Sequence, residues 1–217
     1  MFSKEKYVSN NLIGEYLDYL EYAPASENEK LPLIIYIHGA GSRGTDLSQM
    51  ADVGPIKELK NGRDINAVIV APQCHRETWF DLFETLAEFI NQYRRKDNID
   101  SNRVYIMGVS MGAYAVWQLC ISHPEWFAAA VPICGGGMYW NAARLKGLPI
   151  WAFHGALDNV VYPEESLKMV SAINKNGGNA KLTVFPHEDH NSWDRAFSLD
   201  EMWEWLFEQK RTDINEF

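Results

Sequence analysis

The sequence predicts an α/β fold: a mostly parallel central sheet flanked by helices, with no large cap domain. Three observations predict it. Short apolar runs alternate along the chain with longer segments of helical period, as βα units do. Leu33–Ile37 is a nearly continuous apolar run, as expected of a strand buried on both faces, and Ala67–Ala71 reads as the next buried strand. The connection between the runs at 129–134 and 149–153 is short, which leaves no room for a large insertion.

Taken in order, residues 16–22 read as an edge strand ended by Pro24, and the polar stretch Ala25–Lys30 as a hairpin-like connection. The strand Leu33–Ile37 opens a long Gly- and polar-containing segment, roughly 38–65, with a short helix near Asp52–Asn61. The strand Ala67–Ala71 is stopped by Pro72. Over 82–96, Leu82, Phe83, Leu86, Phe89, Ile90 and Tyr93 follow the i, i+3, i+4 spacing of an amphipathic helix. Val104–Met107 is a strand, followed after a very tight turn by a helix over 112–122. Ala129–Cys134 is a strand that runs into Gly135-Gly136-Gly137. Pro149–Phe153 is a strand, Glu164–Asn176 a helix and Lys181–Phe185 a strand. A terminal helix near 199–210 turns Trp203, Leu206 and Phe207 inward.

Length and composition fit this reading. The 217 residues suit a single domain, 1–217, and 47% hydrophobic residues supply a sizeable core. Most of the eight Trp are expected in that core. A formal charge of −9 argues against nucleic acid or an anionic membrane as partner, since both need clustered Lys and Arg. The three cysteines, Cys74, Cys120 and Cys134, are odd in number and widely spaced, unlike a disulfide framework or a zinc site. Apolar surroundings suggest buried free thiols for Cys120 and Cys134. The polar stretch Met1–Asn11 does not resemble a signal peptide, and no run approaches the roughly 18 apolar residues of a membrane span. The expectation is a cytoplasmic protein; the oligomeric state is left open.

The tight turn after Val104–Met107 carries the chemistry. Gly108-Val109-Ser110-Met111-Gly112 matches G-x-S-x-G, with a strand before it and a helix after it. A sharp strand-to-helix turn forces the serine into a strained backbone conformation and crowds the positions two before and two after, so both must be small. The turn lifts the hydroxyl off the sheet beside a helix N-terminus, where free N–H groups favour an oxyanion. This motif in this context belongs to the α/β-hydrolase fold and makes Ser110 a candidate nucleophile.

A serine hydroxyl needs a base, and the base needs an orienting acid. The chain order for this fold is Ser, then Asp or Glu, then His. Asp158, in His154-Gly155-Ala156-Leu157-Asp158, follows the strand Pro149–Phe153 and fits the acid; the rival reading is a turn-forming Asp beside Asn159. Two histidines compete for the base. His187 lies close to the end of the last strand, and His190 lies further into the loop, where it can swing over the serine; spacing favours His190 only modestly. His38 and His154 end strands beside Gly and read as supporting groups near the site. His75 precedes Ser110, the wrong order, and His123 reads as a helix C-terminal cap. The oxyanion hole needs two N–H donors: one from Met111, the other from the loop His38-Gly39-Ala40-Gly41-Ser42-Arg43-Gly44, with Ala40 as the donor.

With these residues in view, the sequence resembles the small carboxylesterase and phospholipase-like branch of the α/β-hydrolase superfamily, related to dienelactone hydrolases and to the so-called predicted peptidases. The resemblance rests on Leu33–Gly44, on Ala71-Pro72-Gln73-Cys74 with Trp79, on Arg103–Gly112, on Phe153–Asp158 and on His190–Trp193, and spans about residues 31 to 207. It implies His190 as the base, because the family's His opens a similar H-N-S-W run. It also implies Asp158 as the acid, Ala40 and Met111 as the oxyanion hole, and Gln73 and Trp79 at the border of the substrate cleft. The chain departs from many relatives in Ser42, where they carry Glu, and from some in Asp189, where they carry Gly.

The expected reaction is hydrolysis of small-molecule carboxylic esters of short or moderate acyl length through an acyl-enzyme, with no metal and no organic cofactor. Tyr139, Trp140 and Trp193, like Trp79, lie on loops at the catalytic edge and suit aromatic groups such as feruloyl, or acetyl esters of polysaccharides; core packing is the rival reading for them. A peptidase or amidase of the same fold, or a catalytically silent ligand-binding protein, are the alternatives.

Overall fold

The computed structural model describes residues 2–25 and 30–211. Eight strands form one sheet: β1 (Ser3–Val8), β2 (Tyr16–Tyr22), β3 (Leu31–Ile37), β4 (Val68–Pro72), β5 (Ile99–Val109), β6 (Ala129–Ile133), β7 (Trp151–Gly155) and β8 (Lys181–Phe185). Their spatial order is β1-β2-β4-β3-β5-β6-β7-β8. From β4 to β8 neighbouring strands run parallel, and β1 and β2 add an antiparallel edge. Six helices accompany it: α1 (Gly54–Lys60), α2 (Phe83–Tyr93), α3 (Met111–Ser122), α4 (Glu164–Lys175), α5 (Trp193–Ser198) and α6 (Asp200–Glu208). This is the α/β-hydrolase fold. The connection expected over Ala25–Lys30 falls mostly outside the described residues.

Side-chain alternation along the central strands builds two cores. Leu33, Ile35 and Ile37 of β3 and Val104 and Ile106 of β5 face one side, where Leu86, Phe89 and Ile90 of α2 and Trp117 of α3 meet them. Ile34 and Tyr36 of β3 and Tyr105 and Met107 of β5 face the other, packed with Ile56 of α1, Phe197 of α5 and Trp203 and Leu206 of α6. Both faces are dry, so β3 reads as unbroken hydrophobicity rather than as alternation. Of the eight Trp, only Trp140 is mostly exposed, at 73%. All three cysteines are buried and free. No described helix is long and apolar enough to cross a membrane.

Three expectations change. The segment 16–22 is a strand but not the edge, because β1 pairs with β2 from Tyr16 to Glu21. β1 carries Lys4, Glu5 and Lys6, the charged composition that protects an edge from further pairing and that hides a strand from hydrophobic periodicity. The strand expected at 104–107 extends back to Ile99 through a register shift opposite Leu31/Leu33. Its polar start is organised by the Asp100 carboxylate, which accepts from the Asn102 N–H and from Arg103. Last, α5 starts at Trp193, expected on a loop, and adds a helix before the terminal one.

Candidate active site

The G-x-S-x-G run occupies the junction of β5 and α3. Ser110 has φ 52° and ψ −121°, a conformation rare for a residue with a side chain. The flanking glycines have steric reasons. A Cβ on Gly112 would stand 2.1 Å from the Ile37 carbonyl oxygen, and one on Gly108 2.8 Å from that of Gly112. The crossing of β3, β5 and α3 is therefore closed to any larger residue. The Ser110 N–H donates to the Ile133 carbonyl at 2.9 Å, which ties the turn to β6.

The loops after β7 and β8 bring the other two residues to this turn. His190 Nε2 lies 2.9 Å from Ser110 Oγ, and His190 Nδ1 lies 2.7 Å from Asp158 Oδ2. The second oxygen of Asp158 accepts the Val160 and Val161 N–H groups, both at 2.9 Å. Burial alone pushes the Asp158 carboxyl upward, but the hydrogen bonds from His190, Val161 and Val160 outweigh it and hold the group below its ordinary value. The two loops are sewn together by backbone: Ala156 N–H donates to Phe185 O and Leu157 N–H to Glu188 O, both at 2.9 Å. Gly155 permits this, since a Cβ there would stand 2.2 Å from the Asp189 carbonyl oxygen. His187 is exposed on the same loop, and the Asp189 carboxylate turns back to accept the Asn191 N–H at 2.9 Å.

A third loop, after β3, lies against the serine. A Cβ on Gly39 would stand 3.4 Å from Ser110 Cβ. Ala40 opens a one-turn 3-10 helix, Ala40–Ser42, and Met111 opens α3; first-turn N–H groups have no acceptor within their own helix and remain available. His38 supports this loop. It is fully buried; its Nδ1–H donates to Gly39 O at 2.6 Å and its Nε2 accepts the Cys74 N–H at 2.9 Å. Burial drives its pKa down to about 4, in keeping with the neutral ring these partners require. Arg43 grips the loop from outside, donating to Ala40 O at 3.1 Å and to Glu77 O at 2.8 Å. Nothing in the sequence pattern singled Arg43 out.

Two expected cleft residues are corrected here. Trp79 is 0% exposed and donates its indole N–H to His38 O at 2.9 Å. Gln73 is 1% exposed and donates its amide to Ser42 O at 2.9 Å and to Asp46 O at 3.0 Å. Both brace the loop from beneath and present no surface to a substrate. Trp193 is half-buried and stands edge-on to the His190 ring, centroids 5.5 Å apart. Trp140 is exposed, packed edge-to-face on the exposed Tyr139. Leu157, Val160 and Tyr162 on the Asp158 loop are exposed as well, so the rim is largely apolar.

Among the described residues, Cys134, Asp158 and His190 form the single group with metal-ligating atoms close together, within 4.8 Å. The donor set suits a cation poorly. Asp158 and His190 are already bonded to each other, and burial pushes the Cys134 thiol up to about 12, far from the thiolate a metal binds. The chemistry the arrangement supports is proton transfer from a hydroxyl to an imidazole backed by a carboxylate.

Comparison with known proteins adds to this geometry. The model of the dienelactone hydrolase family matches residues 60–200. The bifunctional acetylxylan esterase/xylanase XynS20E of Neocallimastix patriciarum is 25% identical over 145 residues, a match covering 64% of this chain and 21% of that protein. The crystal structure of a thermostable esterase superposes with a TM-score of 0.80 at 30% identity, over 97% of this chain and 63% of that one. The acylaminoacyl peptidase of Pyrococcus horikoshii shares the fold, with a TM-score of 0.71 at 16% identity over 100% of this chain and 43% of that one.

Proposed function

The chain belongs to the dienelactone hydrolase family, and on that premise we propose that it hydrolyses carboxylic esters, with Ser110 as nucleophile, His190 as general base and acid, and Asp158 as the acid that orients His190. One observation carries the proposal: the unbroken hydrogen-bonded line from Ser110 Oγ through His190 to Asp158, at 2.9 and 2.7 Å, beginning on a strained turn.

In this reading Ser110 Oγ attacks the ester carbonyl as His190 Nε2 takes its proton. Asp158 keeps the remaining proton on Nδ1 and stabilises the imidazolium. The N–H groups of Met111 and Ala40 receive the oxyanion; a donor in such a hole lowers the barrier by about 3–4 kcal/mol. His190 then gives its proton to the leaving alkoxide, and the acyl-enzyme forms. Water, activated by the same imidazole, releases the acid and restores Ser110.

The substrate side of the proposal is an ester of short or moderate acyl length. Tyr139, Trp140, Leu157, Val160 and Tyr162 offer apolar contact at an open rim, which favours an aromatic or small acyl group carried on a larger alcohol. An acetyl or feruloyl ester of a polysaccharide fits this description.

The test is a panel of p-nitrophenyl and feruloyl esters run on the native protein and on Ser110→Ala. Turnover by the native protein and a loss on the order of 10⁴–10⁶-fold in the variant are expected. Undiminished turnover by Ser110→Ala would remove Ser110 from the reaction. Matched aryl anilides in the same panel decide between ester and amide cleavage. Failure of the native protein to react with a fluorophosphonate would leave only ligand binding.

A further inference from the structure

Asp158 is not held by His190 alone. His154, at the end of β7, is completely buried, with its Nε2 3.2 Å from the same carboxylate oxygen that meets His190. That nitrogen also lies 2.9 Å from the Val161 carbonyl oxygen. A carbonyl and a carboxylate can only accept, so Nε2 must carry the proton. On the far side of the ring Nδ1 lies 2.7 Å from Ser166 Oγ, which stands 2.9 Å from Gly135 O. The Val161 that His154 grips by its carbonyl is the residue whose N–H grips Asp158 Oδ1. One imidazole thus fixes the turn 158–161 through Val161 O and lies with Nε2 3.2 Å from the carboxylate that the turn carries.

We infer that His154 is the positioning residue for Asp158: its Nε2–H, bonded to Val161 O, holds the turn whose N–H groups keep the carboxylate oriented with Oδ2 on His190, so that it acts on turnover without touching substrate. The inference rests on the reading of Asp158 as the orienting acid. It separates two jobs of the ring, because Nε2 serves the site while Nδ1 serves only the anchoring of α4 through Ser166.

The test uses that separation. In His154→Gln the side-chain amide reaches the place of Nε2 and keeps a donor toward Val161 O; in His154→Asn it reaches the place of Nδ1 and keeps only the Ser166 contact. Expected is a kcat for His154→Asn lower by about 10²-fold with KM little changed, and recovery of most of that loss in His154→Gln, each normalised to the folded fraction read by circular dichroism. Equal kcat values, or Asn above Gln, overturn the inference. A readout on the unmodified protein stands independently of how the variants fold: in a ¹⁵N spectrum of its imidazoles, His154 Nε2 is expected to bear a proton, and an unprotonated Nε2 overturns the inference as well. Ser110→Ala run alongside keeps the two ideas apart. Turnover retained there sinks the nucleophile reading, whereas turnover lost there with indifferent His154 variants sinks only the positioning role.

Discussion

Asp158 satisfies both carboxylate oxygens from its own surroundings, and His190 is left with one free nitrogen aimed at one hydroxyl. Residues that act as such a unit lose function together rather than in shares. His190→Ala is therefore expected to lower kcat/KM for a p-nitrophenyl ester as far as Ser110→Ala does, and His187→Ala to change it less than about threefold, within what a surface substitution does. A larger loss in His187→Ala than in His190→Ala would mean that the wrong imidazole has been assigned. At this scale the sequence spoke unevenly. Ser110 and Asp158 were legible because a strained turn and a strand end leave marks in residue type and order. His187 and His190 were separated only modestly by spacing, since both sit on one loop; resemblance pointed to His190, and that loop packs on Gly155 where it brings His190 to the serine. Gln73 and Trp79 misled because nearness along the chain does not tell which side of a loop a side chain takes.

The elements around the site are held by close approach of backbones, and this makes specific glycines irreplaceable while others are free. Gly112 stands where a methyl group would enter the Ile37 carbonyl, and Gly147 has nothing within 4 Å of its would-be Cβ. Gly112→Ala is expected to cost about 3 kcal/mol or more, a fall in Tm on the order of 6–12 °C for a chain of this length, together with most activity. Gly147→Ala should stay within about 1 kcal/mol of the native protein. Calorimetry of the two variants checks the contrast, and equal melting would show that the crossing of β3, β5 and α3 is looser than described. The same elements show why strand ends were harder to read than strands. Central strands announce themselves by continuous burial, but β1 is polar, the start of β5 carries the run Asp100, Ser101 and Asn102, and α5 has only six residues, too few to display a helical period.

For the molecule as a whole, seven of the eight strands and most of the helices flanking them were legible from pattern, and the polar edge strand β1 was not; the cost of burying polar groups within the fold was not legible either. His38, His75 and His123 are all lowered, first by burial. For His38 the folded pKa is about 4 against 6.5 for the free residue. Between those values the unfolded chain binds a proton that the native state refuses, so stability rises with pH: it is complete above about 6.5 and drains away as pH falls toward 4, by up to about 3 kcal/mol. The lowered Asp158 adds a further loss below the ordinary carboxylate range. Urea midpoints should therefore decline steadily from pH 6.5 to 4, and His38→Gln, which cannot take up a proton, should flatten that decline; a midpoint constant across the window would refute the account. The strained backbone of Ser110 bears on stability too, and in the opposite sense to usefulness. Relief of such a conformation is worth about 1–3 kcal/mol, more than the added chain entropy of glycine takes away. Ser110→Gly should then outlast the native protein on heating while doing no chemistry, and a search that rewarded thermal endurance alone would discard the one hydroxyl the proposed reaction turns on.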